Sequence, residues 1–110
     1  MVPPDIIVNV NFYNTEKNGR QGPTPKDFFS CVFVIDNSKH DARLILDKVG
    51  SICPGDEKEN IPVKFLCADL VIPKLKIGSK FFLRDGGVIG EGKVVKIINL
   101  YPKSTEIRNR

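Results

Sequence analysis

The chain has 110 residues, of which 41% are hydrophobic and 27% are charged, proportions typical of one globular domain. It carries 17 Lys and Arg against 13 Asp and Glu, which gives a formal net charge of +4. No apolar run approaches the roughly 20 residues of a membrane-spanning helix. Three cysteines without C-x-x-C spacing argue against a disulfide framework or a zinc site.

The first half of the chain predicts three strands separated by polar segments. Residues 6–13, IIVNVNFY, alternate between apolar and polar side chains as a half-buried strand does. A long loop rich in Asn, Gly and Pro follows over residues 14–27. The segment SCVFVID, residues 30–36, predicts a second strand, and DNSKHD, residues 36–41, predicts a turn. The segment ARLILDKV, residues 42–49, fits a short helix or a strand, and the flanking turns favour the strand.

The second half predicts three more strands. Residues 50–60 have the composition of a turn, and IPVKFLCADLVI, residues 61–72, alternates as a strand does. A loop over residues 73–79 leads to the short strand KFFLR, residues 80–84. The segment KVVKIINL, residues 93–100, also fits a helical stripe, but its β-branched residues favour a strand. About six strands joined by turns indicate a small barrel or a sandwich.

The segment RDGGVIGEG, residues 84–92, packs four glycines into nine positions and suggests either a phosphate loop or a hairpin. A dinucleotide fingerprint needs G-x-G-x-x-G between a strand and a helix, but this order is G-G-x-x-G-x-G and a β-branched run follows. No Walker loop is present either. We therefore predict a hairpin turning at residues 85–87, with Gly90 and Gly92 bending the returning strand, and no bound nucleotide.

Several segments together carry a resemblance to a known family. KFFLRDGGVIGEGKVVKI, residues 80–97, follows the pattern [R/K]-F-x-[I/L]-R-[E/D]-G-G, then G-x-G-x-V, with one residue fewer between the glycine pairs. That pattern ends the C-terminal barrel of translation elongation factor Tu. CPGD (53–56), VNFYNTEKNGRQGPTP (10–25) and CVFVID (31–36) are similar to its M-P-G-D turn, first strand with loop, and second strand. The likeness covers about residues 5–100 and implies an all-β fold: a single six-stranded antiparallel Greek-key β-barrel.

The chain also departs from that family in two places. The family's G-Y-R-P-Q motif, at the seam with its GTP-binding domain, is replaced by DFFSC, residues 27–31, and EKEN, residues 57–60, is additional. The chain begins at Met1 without a secretion signal and has no P-loop, so we expect a complete cytoplasmic protein that is not itself a GTPase. The segment that contacts the GTP-binding domain in the family has changed, whereas the glycine hairpin is retained. This combination indicates a barrel with a different partner.

The resemblance also implies candidate contact residues. In the family this barrel is not catalytic, packs on other domains and contacts the T-stem of aminoacyl-tRNA near the acidic residue of R-E-G-G. By resemblance, Asp85, Gly86 and Gly87 are candidates for an RNA-backbone contact, with Arg84 and Lys80 nearby. The alternative is that all five residues only form the hairpin.

Exposed apolar residues supply a second set of candidates. A regular last strand would turn one pair of apolar side chains outward: Val95 with Ile97, or Val94 with Ile98. A bulge that turns them inward is the alternative. Phe28 and Phe29 lie near the altered seam. Contiguous exposed apolar surface usually marks an interface, so Phe28, Phe29, Val95 and Ile97 become candidates for contact with a protein partner or a second copy.

Charge and titratable residues bear on function as well. Residues 1–92 hold twelve basic and twelve acidic side chains, so the excess charge lies in residues 93–110, whose last ten residues form a basic tail. Such a patch attracts phosphates or an acidic partner, or is simply solvated. We interpret the cysteines as reduced and mostly buried and His40 as an exposed turn residue, and we find no catalytic, cofactor or metal motif.

We therefore expect a single non-catalytic domain over residues 1–110, with its core at about 5–100 and its tail at 101–110. The favoured function is a module that docks on a protein partner, including an inhibitor or immunity-type protein that copies a bacterial translation-factor surface. The alternative is an RNA-binding module linked to translation that contacts a tRNA-like backbone. The balanced charge of residues 1–92 favours the protein partner.

Overall fold

The computed structural model describes residues 3–14 and 21–99, and over these ranges six antiparallel strands close into a barrel. The strands are β1 (Ile6–Phe12), β2 (Phe28–Ile35), β3 (Ser38–Ile45), β4 (Glu57–Phe65), β5 (Lys80–Arg84) and β6 (Val88–Ile97). Their order around the barrel is β1-β4-β3-β2-β5-β6, and β6 pairs with β1 to close it. Because β2, β3 and β4 are consecutive neighbours and β4 lies beside β1, the arrangement contains a Greek key. The prediction of an all-β six-stranded antiparallel barrel is confirmed.

Alternating apolar residues fill the inside of the barrel. In β1 the buried positions are every second residue from Ile6 to Phe12, as the period of a strand requires. The Phe33 ring stacks on Phe81 with centroids 4.3 Å apart and meets Phe65 edge-on at 5.5 Å. Each such fully buried apolar side chain contributes about 1.5–3 kcal/mol, so this interior is the main source of stability.

The glycine segment is a hairpin, as predicted. Residues Asp85–Gly87 connect β5 to β6, and the Asp85 N–H donates to the Gly87 carbonyl oxygen at 2.9 Å. Gly86 has a φ of +83°, a left-handed conformation that favours glycine. The hairpin hypothesis is therefore confirmed at the turn itself.

The second glycine pair serves a close approach between strands. A Cβ atom built on Gly90 would lie 2.7 Å from the Asn11 carbonyl oxygen. One built on Gly92 would lie 2.7 Å from Cζ of Phe81 and would also meet the Asn9 carbonyl oxygen. These two positions therefore need glycine because β6 packs directly against the β1 backbone and a core ring.

A β-bulge decides where the apolar residues of β6 point. The register of β6 against β1 shifts at Val95, which is the extra residue. Val94 is buried before the bulge, and Ile97 packs against the core after it, although an unbroken strand would place them on opposite faces. The expectation that Val95 and Ile97 face outward together is therefore wrong for Ile97, and Val95 is half-buried. Ile98 remains 38% exposed.

Two polar stretches that were predicted as turns belong to strands. The β2–β3 connection is only Asp36 and Asn37, which have φ values of 50° and 67° and form a tight hairpin turn. His40 lies inside β3 opposite Phe33 and is half-buried, so its assignment to an exposed turn is wrong. Residues 57–60 likewise begin β4. The backbone of Ser38–Asp41 pairs in register with β2, and Glu57 and Lys58 pair with β1, which composition does not reveal.

The connection from β4 to β5 also differs from the prediction. Ala68–Val71 forms one turn of α-helix, α1, and Ile72–Lys74 forms a 3₁₀ turn, where a strand was predicted to continue. Cys67 precedes α1 and is exposed, as is Cys53, so the expectation of mostly buried thiols holds only for Cys31. Within the described ranges, no helix has the length and apolar character that crossing a membrane requires.

Candidate binding groove on the barrel wall

A groove of about 730 Å³ runs across four adjacent strands, β4, β3, β2 and β5, on the outer wall of the barrel. We call it the wall groove. Its lining comes from Ser30–Val32, Lys39, Asp41–Arg43, Lys64–Leu66 and Arg84–Gly86. The β4 and β5 segments are distant in sequence from the β2–β3 hairpin, and the pairing of β3 with β4 and of β2 with β5 brings them together.

The strand register places the groove side chains in rows. Val32 lies between Asp41 of β3 and Arg84 of β5. One step along, Val34 lies between Lys39 and Phe82. Because alternate residues of a strand share a face, these side chains all point away from the buried core.

An apolar strip adjoins the groove on the same face. Phe28 is 46% exposed and Phe82 is 49% exposed, with half-buried Val32 and Val34 between them on the outer face. The Arg43 guanidinium carbon lies 4.3 Å from the centre of the Phe28 ring, within cation–π range. We call Phe28, Val32, Val34 and Phe82 the apolar strip. An aromatic surface with a stacked arginine is the composition found at protein interfaces.

Basic side chains outnumber acidic ones in the groove lining. The basic ones are Lys39, Arg43, Lys64 and Arg84, and the acidic ones are Asp41 and Asp85. The Lys64 ammonium lies 3.3 Å from the buried Asp5 carboxylate, which offsets part of its charge. The wall groove therefore presents a positive potential to solvent.

Cys31 lines the groove from its buried position in β2. Burial, and to a lesser degree the nearby Asp85 charge, raises the pKa of its thiol to about 12. At neutral pH the thiol is protonated and is a poor nucleophile. In residues 3–14 and 21–99 no three His, Cys, Asp or Glu side chains lie together as metal ligands would.

The structure brings together some predicted contact residues and separates others. Arg84, Asp85 and Gly86 line the wall groove, and Gly87 completes the same turn. Lys80 lies at the other end of β5 opposite Lys93, in a separate shallow groove.

Phe29, Val95 and Ile97 also lie outside the wall groove. Phe29 is only 6% exposed and packs on Phe12 at 6.3 Å between centroids, so its assignment to a surface contact is wrong: it alternates with Phe28 and faces the core. Val95 and Ile97 lie in β6, which contributes nothing to the groove lining. Of the basic C-terminal excess, Lys93 and Lys96 are exposed on the barrel, whereas the tail at residues 101–110 lies outside the described residues.

Sequence reasoning missed the β3 half of the groove. Lys39 and Asp41 were assigned to a turn, and Arg43 was placed in the predicted strand of residues 42–49 but not among the contact residues. All three alternate with inward-facing residues such as Ala42 and Leu44. That period of two was the available signal, and the polar run in front of it hid the start of the strand.

Comparison with protein-family models and with curated proteins finds no match to this chain. The resemblance to the elongation factor Tu barrel therefore rests on the motifs of the sequence and remains a prediction. The fold itself is established as a closed six-stranded barrel.

Proposed function

We propose that the protein is a non-catalytic binding module that docks on a protein partner through the apolar strip and the adjoining wall groove. The single observation that carries this proposal is the exposure of two phenylalanine rings, Phe28 and Phe82, on one face with Arg43 stacked over the first. Aromatic and arginine side chains supply most of the binding energy in protein interfaces.

The arrangement suits an interface because it combines an apolar centre with a charged border. Val32 and Val34 lie between the rings on the same face, with exposed Ser30 between Phe28 and Val32, and Lys39, Arg43 and Arg84 border this strip. Burying the two half-exposed rings supplies the apolar contribution at about 25 cal/mol per Å². The charged border then favours one partner over another.

The resemblance to the elongation factor Tu barrel suggests a cytoplasmic module that copies a translation-factor surface, as an inhibitor or immunity-type protein does. The kept R-D-G-G turn supports this proposal because Arg84 and Asp85 of that turn line the wall groove. A partner that normally meets such a factor is then the expected target.

The test uses the full chain carrying an affinity tag, with capture of partners from extract of its own cells and identification by mass spectrometry. We expect the double variant Phe28→Ser/Phe82→Ser to lose the partner that the unaltered chain captures. Ile77→Ser is the matched control, since Ile77 is 61% exposed but lies in the loop before β5. A captured partner that both variants retain equally would contradict docking through the strip.

RNA binding is the second candidate, favoured by the four basic side chains of the wall groove. An RNA ligand predicts an affinity that falls by about 0.7 log units per log unit of salt for each phosphate engaged on a single strand. Docking through the apolar strip predicts a weak dependence. Measuring the captured partner's affinity at several salt concentrations separates the two.

A further inference from the structure

We infer that the wall groove receives an extended acidic segment of the partner protein that carries an apolar side chain. This inference rests on the proposed function and states the chemistry of the partner. It concerns the groove lined by Arg43, Arg84 and Leu66, beside the apolar strip.

The charges of the groove favour an acidic occupant. Among residues 3–14 and 21–99, Lys39, Arg43 and Arg84 form no ion pair, whereas Lys64 is held by Asp5 at 3.3 Å. Three cations are thus available to ligand carboxylates. Arginine binds a carboxylate through two parallel hydrogen bonds, which makes Arg43 and Arg84 the principal contacts.

The dimensions of the groove suit an extended chain. Its lining crosses four strands, which are spaced about 4.8 Å apart, so it spans roughly 14 Å. An extended peptide rises about 3.3 Å per residue, so about four residues cover that distance. Leu66, which is 76% exposed, lies at the β4 end, and Arg84 lies at the β5 end. A partner segment matches this arrangement if its acidic residues contact Arg43 and Arg84 and its apolar residue contacts Leu66 or the neighbouring Phe28.

The same charges argue against two other occupants. A second copy of the chain docking by the same face would bring together two grooves of the same net positive charge, which is unfavourable. An RNA backbone carries only negative charge, but Asp41 stands in the middle of the groove, across Val32 from Arg84, and Asp85 stands beside that arginine. A peptide segment can place an amide donor at Asp41 and acidic side chains at the arginines.

The test measures binding of three short probes to the full chain by two-dimensional ¹H–¹⁵N NMR. The probes are the synthetic peptide EEFEEFEE, its basic counterpart KKFKKFKK, and an eight-nucleotide oligouridylate. We expect the acidic peptide to shift the amide signals of residues 30–32, 41–43 and 84–86, with weak or no shifts there from the other probes.

Charge-reversal variants localise the effect. The double variant Arg43→Glu/Arg84→Glu should weaken binding of the acidic peptide about tenfold or more. The double variant Lys80→Glu/Lys93→Glu makes the same change in net charge on exposed β5 and β6 positions away from the groove, and should weaken binding about twofold at most. Equal losses in the two variants would mean a non-specific charge effect and would overturn the inference.

Two further outcomes would also overturn it: no shift at the groove amides at millimolar acidic peptide, or tighter binding of oligouridylate at those amides. In either case the proposed function is judged separately. Partner capture that depends on Phe28 and Phe82 would stand with a partner of different chemistry, whereas capture independent of both rings would remove the proposed function itself.

Discussion

The two sides of the barrel use charged residues in opposite ways. On the side where β1 meets β4 and β6, Asp5 is fully buried, and its carboxylate accepts from Lys64 Nζ at 3.3 Å, Asn99 Nδ2 at 2.7 Å and the Phe65 N–H at 2.8 Å. Its backbone oxygen accepts the N–H groups of Ile98 and Asn99. This cluster joins the start of β1 to the ends of β4 and β6, and we call it the closing cluster.

On the other side, the wall groove holds carboxylates and cations that face solvent. Asp41, Arg43 and Asp85 are exposed and Arg84 is half-buried. A buried carboxylate with several donors stabilises the one fold that supplies those donors, whereas exposed charges contribute little to stability. The difference shows that burial, more than residue type, separates charges that hold the fold together from charges that face solvent. The following predictions test this contrast, beginning with the largest effect.

Removing the carboxylate of the closing cluster should destabilise the barrel most. Asp5→Ala leaves the Phe65 N–H and the Asn99 amide without their acceptor, and we expect it to lower the free energy of unfolding by about 3 kcal/mol. Urea denaturation measures the change. Asp47→Ala, at an exposed aspartate after β3, is the control and should stay within about 0.5 kcal/mol. Equal effects of the two substitutions would mean that the closing cluster is not structural.

The close approach of β6 to β1 on the closing side should be the next most sensitive feature. Gly92→Ala places a methyl group 2.7 Å from Phe81 Cζ, and we expect a loss of about 2 kcal/mol in the free energy of unfolding. Gly87→Ala is a matched control in the same motif, because a Cβ there meets no atom within 4 Å. Thermal unfolding of both variants decides the point, and a stable Gly92→Ala barrel would argue against this packing.

A smaller effect is expected from His40, which is half-buried in β3. Burial, and secondarily the charge of Lys74, lowers the pKa of the imidazole below its usual 6.5. Because the unfolded chain then binds the proton more readily, stability is complete above pH 6.5 and falls as the pH drops below that value. Urea denaturation at pH 7.5 and 5.5 should show a loss of a fraction of a kcal/mol that is reduced in His40→Phe. An unchanged pH dependence in that variant would contradict the assignment.

Substitution in the groove should affect stability least. Arg84→Gln removes a charge that has no ion pair in the described ranges, and we expect the free energy of unfolding to change by no more than about 0.5 kcal/mol. Urea denaturation beside Asp5→Ala makes the comparison direct. A loss as large as that of Asp5→Ala would show that the groove charges are structural and would remove the contrast between the two sides.

Much of the fold was predictable because strands leave local signals. The alternation in IIVNVNF and the KFFLR–glycine–KVV order predicted β1, β5 and β6, and the positive φ of Gly86 fits the predicted turn. The starts of β3 and β4 were missed because Ser38–Asp41 and Glu57–Asn60 are polar and turn-like in composition. Those segments become strands because neighbouring strands supply their hydrogen-bond partners.

The candidate site was predictable only in part. The turn of β5 and β6 directed attention to Arg84 and Asp85, which line the groove. Phe28 is exposed and Phe29 is buried because of the way β2 is oriented in the sheet. The orientation of Ile97 depends on the bulge at Val95. A shift of one residue in strand register turns a side chain to the other face of the sheet, and the neighbouring residues in the sequence give no signal of that shift.

The sequence by itself determined that this chain folds as β-strands, that the glycine segment forms a hairpin turn, and that Arg84 and Asp85 lie at that turn. Only the tertiary structure decided that Asp5 is buried against Lys64, 59 residues away, and that Arg84 lies across Val32 from Asp41. The physical reason is the separation along the sequence of the residues that interact. Alternation and turn chemistry involve residues close together in the chain, whereas strand order, register and burial depend on contacts between distant segments.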